Sequence, residues 1–259
     1  MKLPKKPINR INSVVWISVW LMWMVSSCHP PLRLSSAQYH RYEIGQDSIL
    51  TSAGSEINQL IEPYKSQLDE AMNEVIGRVP RSLHKEKIES TLGNWIADAL
   101  AQFVNQKTGR PIDLAICNYG GVRIPELAAG PLTVGKIYEL MPFDNYVVTM
   151  ELDGAVLMKL LQRIADYGGW PVSSGLRMEV GKDRITQAQL DGKPVSPDQT
   201  YFVALSDYLA NGGDQLSFLA DLPFDNLNTY YRDALIETAR NQEEIVAEIE
   251  GRITYINRR

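Results

Sequence analysis

The chain has 259 residues, 44% of them hydrophobic, and a formal charge of −5, which suits one large or two small globular domains. With no basic run beside that acidic balance, a nucleic-acid polymer is a poor partner. Only three histidines are present, two of them (His29, His40) near the start, a poor supply for a dinuclear hydrolytic metal site that draws His, Asp and Asn ligands from several loops.

Lys2, Lys5, Lys6 and Arg10 precede an apolar stretch over residues 11–25. That stretch is too short for a comfortable membrane span and reads as a secretory signal, the alternative being a short uncleaved anchor. Its end, Val25-Ser26-Ser27-Cys28, resembles the bacterial lipobox, in which the cysteine is lipidated and becomes the mature N-terminus. The expectation is a lipoprotein signal peptide over 1–27, a lipidated Cys28, a Pro- and Ser-containing tether over 28–45 and a folded domain over 46–259. Such a protein sits in the bacterial cell envelope, facing the periplasm or the outside. Cys117 is then the one remaining thiol, a small buried hydrophobe unless a cationic or His partner stands beside it.

A short strand is expected over 39–44. Apolar residues at Ile57, Leu60, Ile61, Tyr64, Leu68, Met72, Val75 and Ile76 recur at helical spacing and predict an amphipathic helix over 56–76, in which Pro63 marks either a kink or the true start. A strand over 77–83 and a helix over 89–104 follow. Asn94 and Asp98 share a face of that helix, for function or for structural hydrogen bonding. The apolar run 112–117, between Pro111 and Gly120-Gly121, predicts a core strand that delivers Asn118 and Arg123 from a glycine loop. That loop is either a turn with an exposed arginine or a seat for a small polar ligand.

Thr133 is placed to cap a short helix ending at Leu140 before Met141-Pro142. A strand over 146–152, a helix over 155–165 and paired strands over 175–180 and 184–190 come next. Asp191-Gly192 signals a hairpin, and a strand is expected over 200–205. Polar sequence worth two helices and a last strand over 252–256 complete the chain.

Gly-x-Ser-x-Gly, P-loop and dinucleotide fingerprints do not occur. What remains is a binding constellation. Tyr208 and Asp214 flank Gly212-Gly213, and Phe143 supplies a second aromatic. Two aromatic faces and a carboxylate suit a planar heterocycle, with stacking worth about 1–3 kcal/mol per face in comparable base contacts, the alternative for each ring taken alone being an ordinary core side chain.

Seven segments occur in a recognisable order: Glu89-Ser90-Thr91-Leu92-Gly93-Asn94, Asn118-Tyr119-Gly120-Gly121-Val122-Arg123, Gly130-Pro131-Leu132-Thr133, Met141-Pro142-Phe143-Asp144-Asn145, Ser174-Gly175-Leu176-Arg177, Asn211-Gly212-Gly213-Asp214 and Glu250-Gly251-Arg252-Ile253. In this order they resemble the C-terminal domain of bacterial and animal 5′-nucleotidases, over residues 57–256. The resemblance implies an α/β (α+β) sandwich of mixed sheet and helices that binds the nucleoside, while a separate metallophosphatase domain carries two metals and the catalytic His. It implies that Phe143 and Tyr208 stack on the base, Tyr208 replacing the family's usual Phe. Asp214 then faces the sugar hydroxyls, and Asn118, Gly121 and Arg123 lie toward the ribose and phosphate.

The chain departs from the family pattern in three places. Tyr119 stands where the first Gly of the Asn-Gly-Gly-Gly loop is usual, either narrowing the site or adding a contact. The arginine that usually precedes the Glu-x-x-x-Gly-Asn motif has no counterpart, leaving Lys85 or Lys87 as stand-ins. No metallophosphatase half is recognisable. The resulting expectation is the substrate-binding half of a split 5′-nucleotidase, holding no cofactor and inactive alone, with divalent metals in a separate metallophosphatase chain. The alternatives are a nucleoside-capture lipoprotein and an interaction scaffold.

Overall fold

The computed structural model describes residues 52–182 and 184–256, with side chains from residue 57 onward. The expected signal, Cys28, the tether and the strand over 39–44 lie outside the described residues. The chain divides after Ile57 into two compact units.

Helix α1 (Ser52–Asn73) contains Pro63, so the proline is neither the start nor the end of the helix. Its apolar residues Leu60, Ile61, Tyr64 and Leu68 are exposed. Of the expected helix, Met72 packs against the core from a half-buried position. The strand expected over 77–83 is instead two: β1 (Val75–Val79) and β2 (Leu83–His84). Pro80 has no N–H to continue a ladder, and pairing stops at Val79.

Helix α2 (Thr91–Thr108) starts at Ser90, whose hydroxyl accepts from Gly93 N, and ends at Gly109 in the left-handed conformation. The core strand of the glycine loop is shorter than its apolar run. β3 is Leu114–Ala115, and Ile116 adds a bridge to Val172. β4 (Glu126–Leu127), β5 (Gly130–Thr133) and α3 (Val134–Leu140) follow, with Thr133 capping α3 as its position in the sequence suggests.

β6 (Tyr146–Asp153), α4 (Gly154–Asp166), β7 (Leu176–Val180), β8 (Ile185–Leu190), β9 (Lys193–Pro194) and β10 (Thr200–Ser206) lie close to their expected places. Asp191 and Gly192, both at positive φ, make the turn between β8 and β9. The polar stretch beyond holds one turn of helix, α5 (Asp207–Ala210), a strand, β11 (Asp225–Tyr230), and one full helix, α6 (Tyr231–Arg240), before β12 (Ile253–Tyr255). β11 escapes a periodicity reading because its pairing with β6 is broken between Asn226 and Tyr230, which scrambles the alternation.

The layers follow from which side chains each strand turns each way. The central sheet runs β11-β6-β10-β3. Val147, Phe202, Ala204, Ala115 and Cys117 point to one core, shared with α2 and α6. Val148, Met150, Val203, Leu205, Leu114 and Ile116 point to the other, shared with α4 and the sheet β12-β7-β8-β9. A sheet covered on both faces explains the unbroken apolar runs of β3 and β10. Both strands run parallel and end on the same side, so the loops that follow them, one with Asn118 and one with Tyr208, emerge together.

Candidate functional site

After β3 the chain makes a tight turn over Tyr119–Gly121. A Cβ on Gly121 would lie 2.7 Å from Asn118 Oδ1, so glycine is what lets Asn118 fold back over its own turn. Asn118 is 9% exposed and its Nδ2 donates to Asp214 Oδ2 at 2.6 Å. Arg123, at the end of the turn, is exposed. Its guanidinium stands 5.4 Å from the centre of the Phe143 ring and donates one long bond, 3.4 Å, to the Gly120 carbonyl.

On the other side, Ser206 caps α5 by accepting from Leu209 N, and Tyr208 projects from that turn, 44% exposed. Gly213 runs directly beneath its ring, where a Cβ would come within 2.5 Å of the ring carbons. The Tyr208 hydroxyl donates to Asp214 Oδ1 at 3.0 Å and accepts from Asp214 N at 3.2 Å. Asp214 sits in the left-handed region, φ 51 and ψ 35, at a cost on the order of 1 kcal/mol. Asn118, Tyr208 and an Arg163 Nε bond to its carbonyl, 3.2 Å, hold it there. Its side-chain bond to Asp214 raises the Tyr208 hydroxyl above the usual phenolic range.

Phe143, 37% exposed, comes from the Met-Pro-Phe loop between α3 and β6. Asn118, Gly121, Arg123, Phe143, Tyr208 and Asp214 thus line one open cleft of about 320 Å³, together with Gly120 and Asn145, within the size range of small-molecule sites. Each ring has a charged group beside it, the Arg123 guanidinium by Phe143 and the Asp214 carboxylate by Tyr208.

Tyr119 does not line that cleft. The ammonium groups of Lys85 and Lys87 stand 4.0 and 4.1 Å from the centre of its ring, and the Lys85 ammonium donates to the Val122 carbonyl at 2.6 Å. Burial first, then Arg123, lowers the Lys85 pKa. Both lysines therefore brace the glycine loop from behind. Cys117 is fully buried at the foot of this loop, and burial pushes its thiol up to about 12, which rules out a thiolate nucleophile at neutral pH.

Asn94 and Asp98 belong to a structural cluster. Asn94 Nδ2 donates to Glu89 Oε1 and to the Glu248 carbonyl, both at 2.7 Å. Asp98 takes both Arg252 NH groups, at 2.9 and 2.6 Å, and the Ser174 amide at 2.8 Å.

Sequence reasoning passes over Asn145, Asp207, Arg163 and Arg232. Asn145 closes the Met-Pro-Phe-Asp-Asn segment and had a signal there. The other three stand on helices without a motif. The cleft offers a metal one carboxylate, Asp214, with both oxygens already engaged, and no imidazole. Among the described residues no group of three or more His, Cys, Asp or Glu is placed to hold a metal ion. The donor set does not fit a hydrolytic metal centre.

The sequence model of the 5′-nucleotidase, C-terminal domain family matches residues 67–221. The chain belongs to that family. As a 5′-nucleotidase C-terminal domain it is 26% identical over 229 residues to the trifunctional nucleotide phosphoesterase protein YfkN of Bacillus subtilis, covering 80% of this chain and 15% of that one. It is 26% identical over 193 residues to protein UshA of Escherichia coli, covering 71% and 34%. The 5′-nucleotidase precursor of Thermus thermophilus superposes with a TM-score of 0.68 at 26% identity, covering 80% of this chain and 44% of that one. The chain therefore spans less than half the length of each of these proteins, and its mixed α/β architecture is that of the 5′-nucleotidase C-terminal domain.

Proposed function

We propose that the cleft binds nucleosides and nucleoside monophosphates and presents the phosphate to a metallophosphatase made as a separate chain. In this reading Phe143 and Tyr208 stack on the base, and Asp214 accepts from the sugar hydroxyls. Asn118 and Arg123 meet the ribose and phosphate, where a planar guanidinium suits an anion. The protein is anchored in the cell envelope by lipid on Cys28, and the cell wall protein Lmo0130 of Listeria monocytogenes, 30% identical over 188 residues, supports an extracytoplasmic setting. The observation that carries the proposal is the meeting, in one cleft, of two half-exposed aromatic rings with a carboxylate and a guanidinium.

The contribution of this chain to hydrolysis is orientation of the substrate. The metals of a partner phosphatase would activate water; every group in the cleft binds or positions. A nucleoside of roughly twenty heavy atoms at about −0.3 kcal/mol per atom gives about −6 kcal/mol, hence a Kd in the tens of micromolar. Calorimetry with adenosine and AMP should find such binding, and Phe143→Ala should weaken it about 5- to 150-fold, the equivalent of 1–3 kcal/mol of stacking. Absence of binding to either compound overturns the assignment. Phosphate release from AMP with divalent metal should be negligible for the purified chain, and robust turnover would sink the split arrangement.

A second reading is a nucleoside-capture lipoprotein with no hydrolytic partner, supported by the fact that both aromatic rings and the carboxylate come from this chain. Co-purification of a metallophosphatase separates the two. A chain that binds nucleoside but recruits none favours capture, and one that binds no nucleoside leaves an interaction scaffold.

A further inference from the structure

Rings on two separate loops can hold one base only if the loops keep a fixed spacing, and neither ring here belongs to a long element. Phe143 lies in the connection between α3 and β6, and Tyr208 lies in the four-residue α5. One oxygen ties the two walls. Asp207 Oδ1 accepts from the Tyr146 amide at 2.9 Å and from the Tyr208 amide at 2.9 Å. Tyr146 is the first residue of β6, three past Phe143, so a single carboxylate joins the backbone of both walls.

The Phe143 side is pinned a second time. Arg232 NH1 donates to the Phe143 carbonyl at 3.0 Å and to Asp144 Oδ1 at 2.5 Å. Its guanidinium lies 4.7 Å from the Tyr138 ring and 4.9 Å from the Tyr230 ring, and its side chain is 11% exposed. Tyr230 stacks on Tyr146 at 4.7 Å. A continuous path thus runs from Tyr208 through Asp207, Tyr146, Tyr230 and Arg232 to the backbone of Phe143, and neither Asp207 nor Arg232 lines the cleft.

We infer that Asp207 is a positioning residue for nucleoside binding, fixing the Tyr208 wall against the Phe143 wall, with Arg232 anchoring the Phe143 backbone. The inference rests on the nucleoside reading of the cleft and adds to it the group that sets the aperture. What Asp207 supplies is an acceptor of fixed reach. Asparagine keeps that acceptor and drops the charge, whereas alanine removes it.

The test is a double-mutant cycle read by calorimetry with adenosine. Asp207→Ala should weaken binding about ten-fold, consistent with the loss of two hydrogen bonds. Asp207→Asn should return to within about two-fold of wild type, since an amide oxygen can accept both bonds. In a Phe143→Ala background Asp207→Ala should change little, because the wall it positions is gone. Wild-type affinity in Asp207→Ala overturns the proposal, and so does an equal loss with and without Phe143, the mark of a merely structural residue. If Asp207→Ala lacks a cooperative unfolding transition, Asp207→Ser, whose shorter side chain falls short of Tyr146, takes its place with the same expected outcomes.

A ligand-free measurement keeps this inference separable from the nucleoside reading. In protein labelled with fluorophenylalanine, the ¹⁹F line of Phe143, assigned by its loss in Phe143→Leu, should broaden or shift in Asp207→Ala and return in Asp207→Asn. A line unmoved by Asp207→Ala overturns the positioning role even if adenosine binds, while failure of the wild type to bind adenosine overturns the nucleoside reading alone.

Discussion

Arg252 and Arg123 both follow glycines in motif segments, and the fold uses them in opposite ways. Arg252 is 1% exposed in its side chain, and each of its three nitrogens is hydrogen-bonded. It makes two bonds to Asp98, one of 2.7 Å to the Val172 carbonyl and one of 3.2 Å to Glu250. Beside it, Glu89 takes the backbone amides of Glu250 and Arg252, so the cluster staples the C-terminal strand to α2. Arg123 lies in the open with one long bond to a carbonyl, and most of its N–H groups face water. A buried guanidinium with every nitrogen bonded stabilises a fold, and an exposed one beside an aromatic ring with most of its N–H groups free of protein partners is available to an anion.

That contrast breaks most clearly on stability. Arg252→Met should cost about 3 kcal/mol, the lower end for removing one partner of a buried pair, because Asp98 is 38% exposed and regains water. Arg123→Met should stay within about 0.5 kcal/mol of wild type in urea unfolding, as surface substitutions do. It should instead weaken AMP more than adenosine in calorimetry. If Arg123→Met unfolds as readily as Arg252→Met, the division between the two clusters is wrong.

Motif order is enough to gather the six residues named from sequence around one cleft: five of them lie just after two parallel strands, where an apolar run stops at a polar residue, and Phe143 comes from the loop before β6. The direction of each side chain is not readable that way. Tyr119 reads as either narrowing the cleft or adding a contact in it, yet its ring turns back under Lys85 and Lys87, a contact made by a segment more than thirty positions away. Asp207 and Arg232 carry no motif, since their partners are backbone atoms of other elements and any acceptor or donor of the right reach would satisfy them. β11 is hidden for a related reason. Its pairing is interrupted at Asn226, so its register is set by β6 and not by its own alternation. α1 errs in the other sense, with an apolar pattern that predicts burial and side chains that remain exposed.

Cys117 sharpens the boundary between the two regions, since it belongs to the core but stands at the foot of the cleft loop. Its thiol is held neutral by burial up to about 12, against 9.0 for an unperturbed thiol. Below pH 9 both folded and unfolded chains carry the proton and this group leaves stability unchanged. Between about 9 and 12 only the unfolded chain ionises, so stability should fall by about 1.4 kcal/mol per pH unit. Between pH 8 and pH 10, an interval that straddles the unfolded thiol's pKa, wild type should lose about 1.4 kcal/mol more stability in urea unfolding than Cys117→Ala. An identical slope in both proteins would place the thiol in contact with water, and the cleft floor with it.

The smallest expected effect belongs to the Tyr208 hydroxyl. Tyr208→Phe keeps the ring and removes both bonds to Asp214, leaving Asn118 and Arg163 to hold a residue in a left-handed conformation. Bonds to a charged group are worth about 1.5–3 kcal/mol when shielded from water, and the exposure of Tyr208 brings this one down to about 0.5–1.5 kcal/mol, so adenosine binding should weaken about 2- to 12-fold. The loss should disappear for 2′,3′-dideoxyadenosine, which lacks the 2′ and 3′ hydroxyls that Asp214 would accept from. Tighter adenosine binding by Tyr208→Phe would carry the opposite meaning: the hydroxyl occupies an oxygen of Asp214 that the sugar competes for, and the fixed carboxylate is a restraint on the ligand instead of a seat prepared for it.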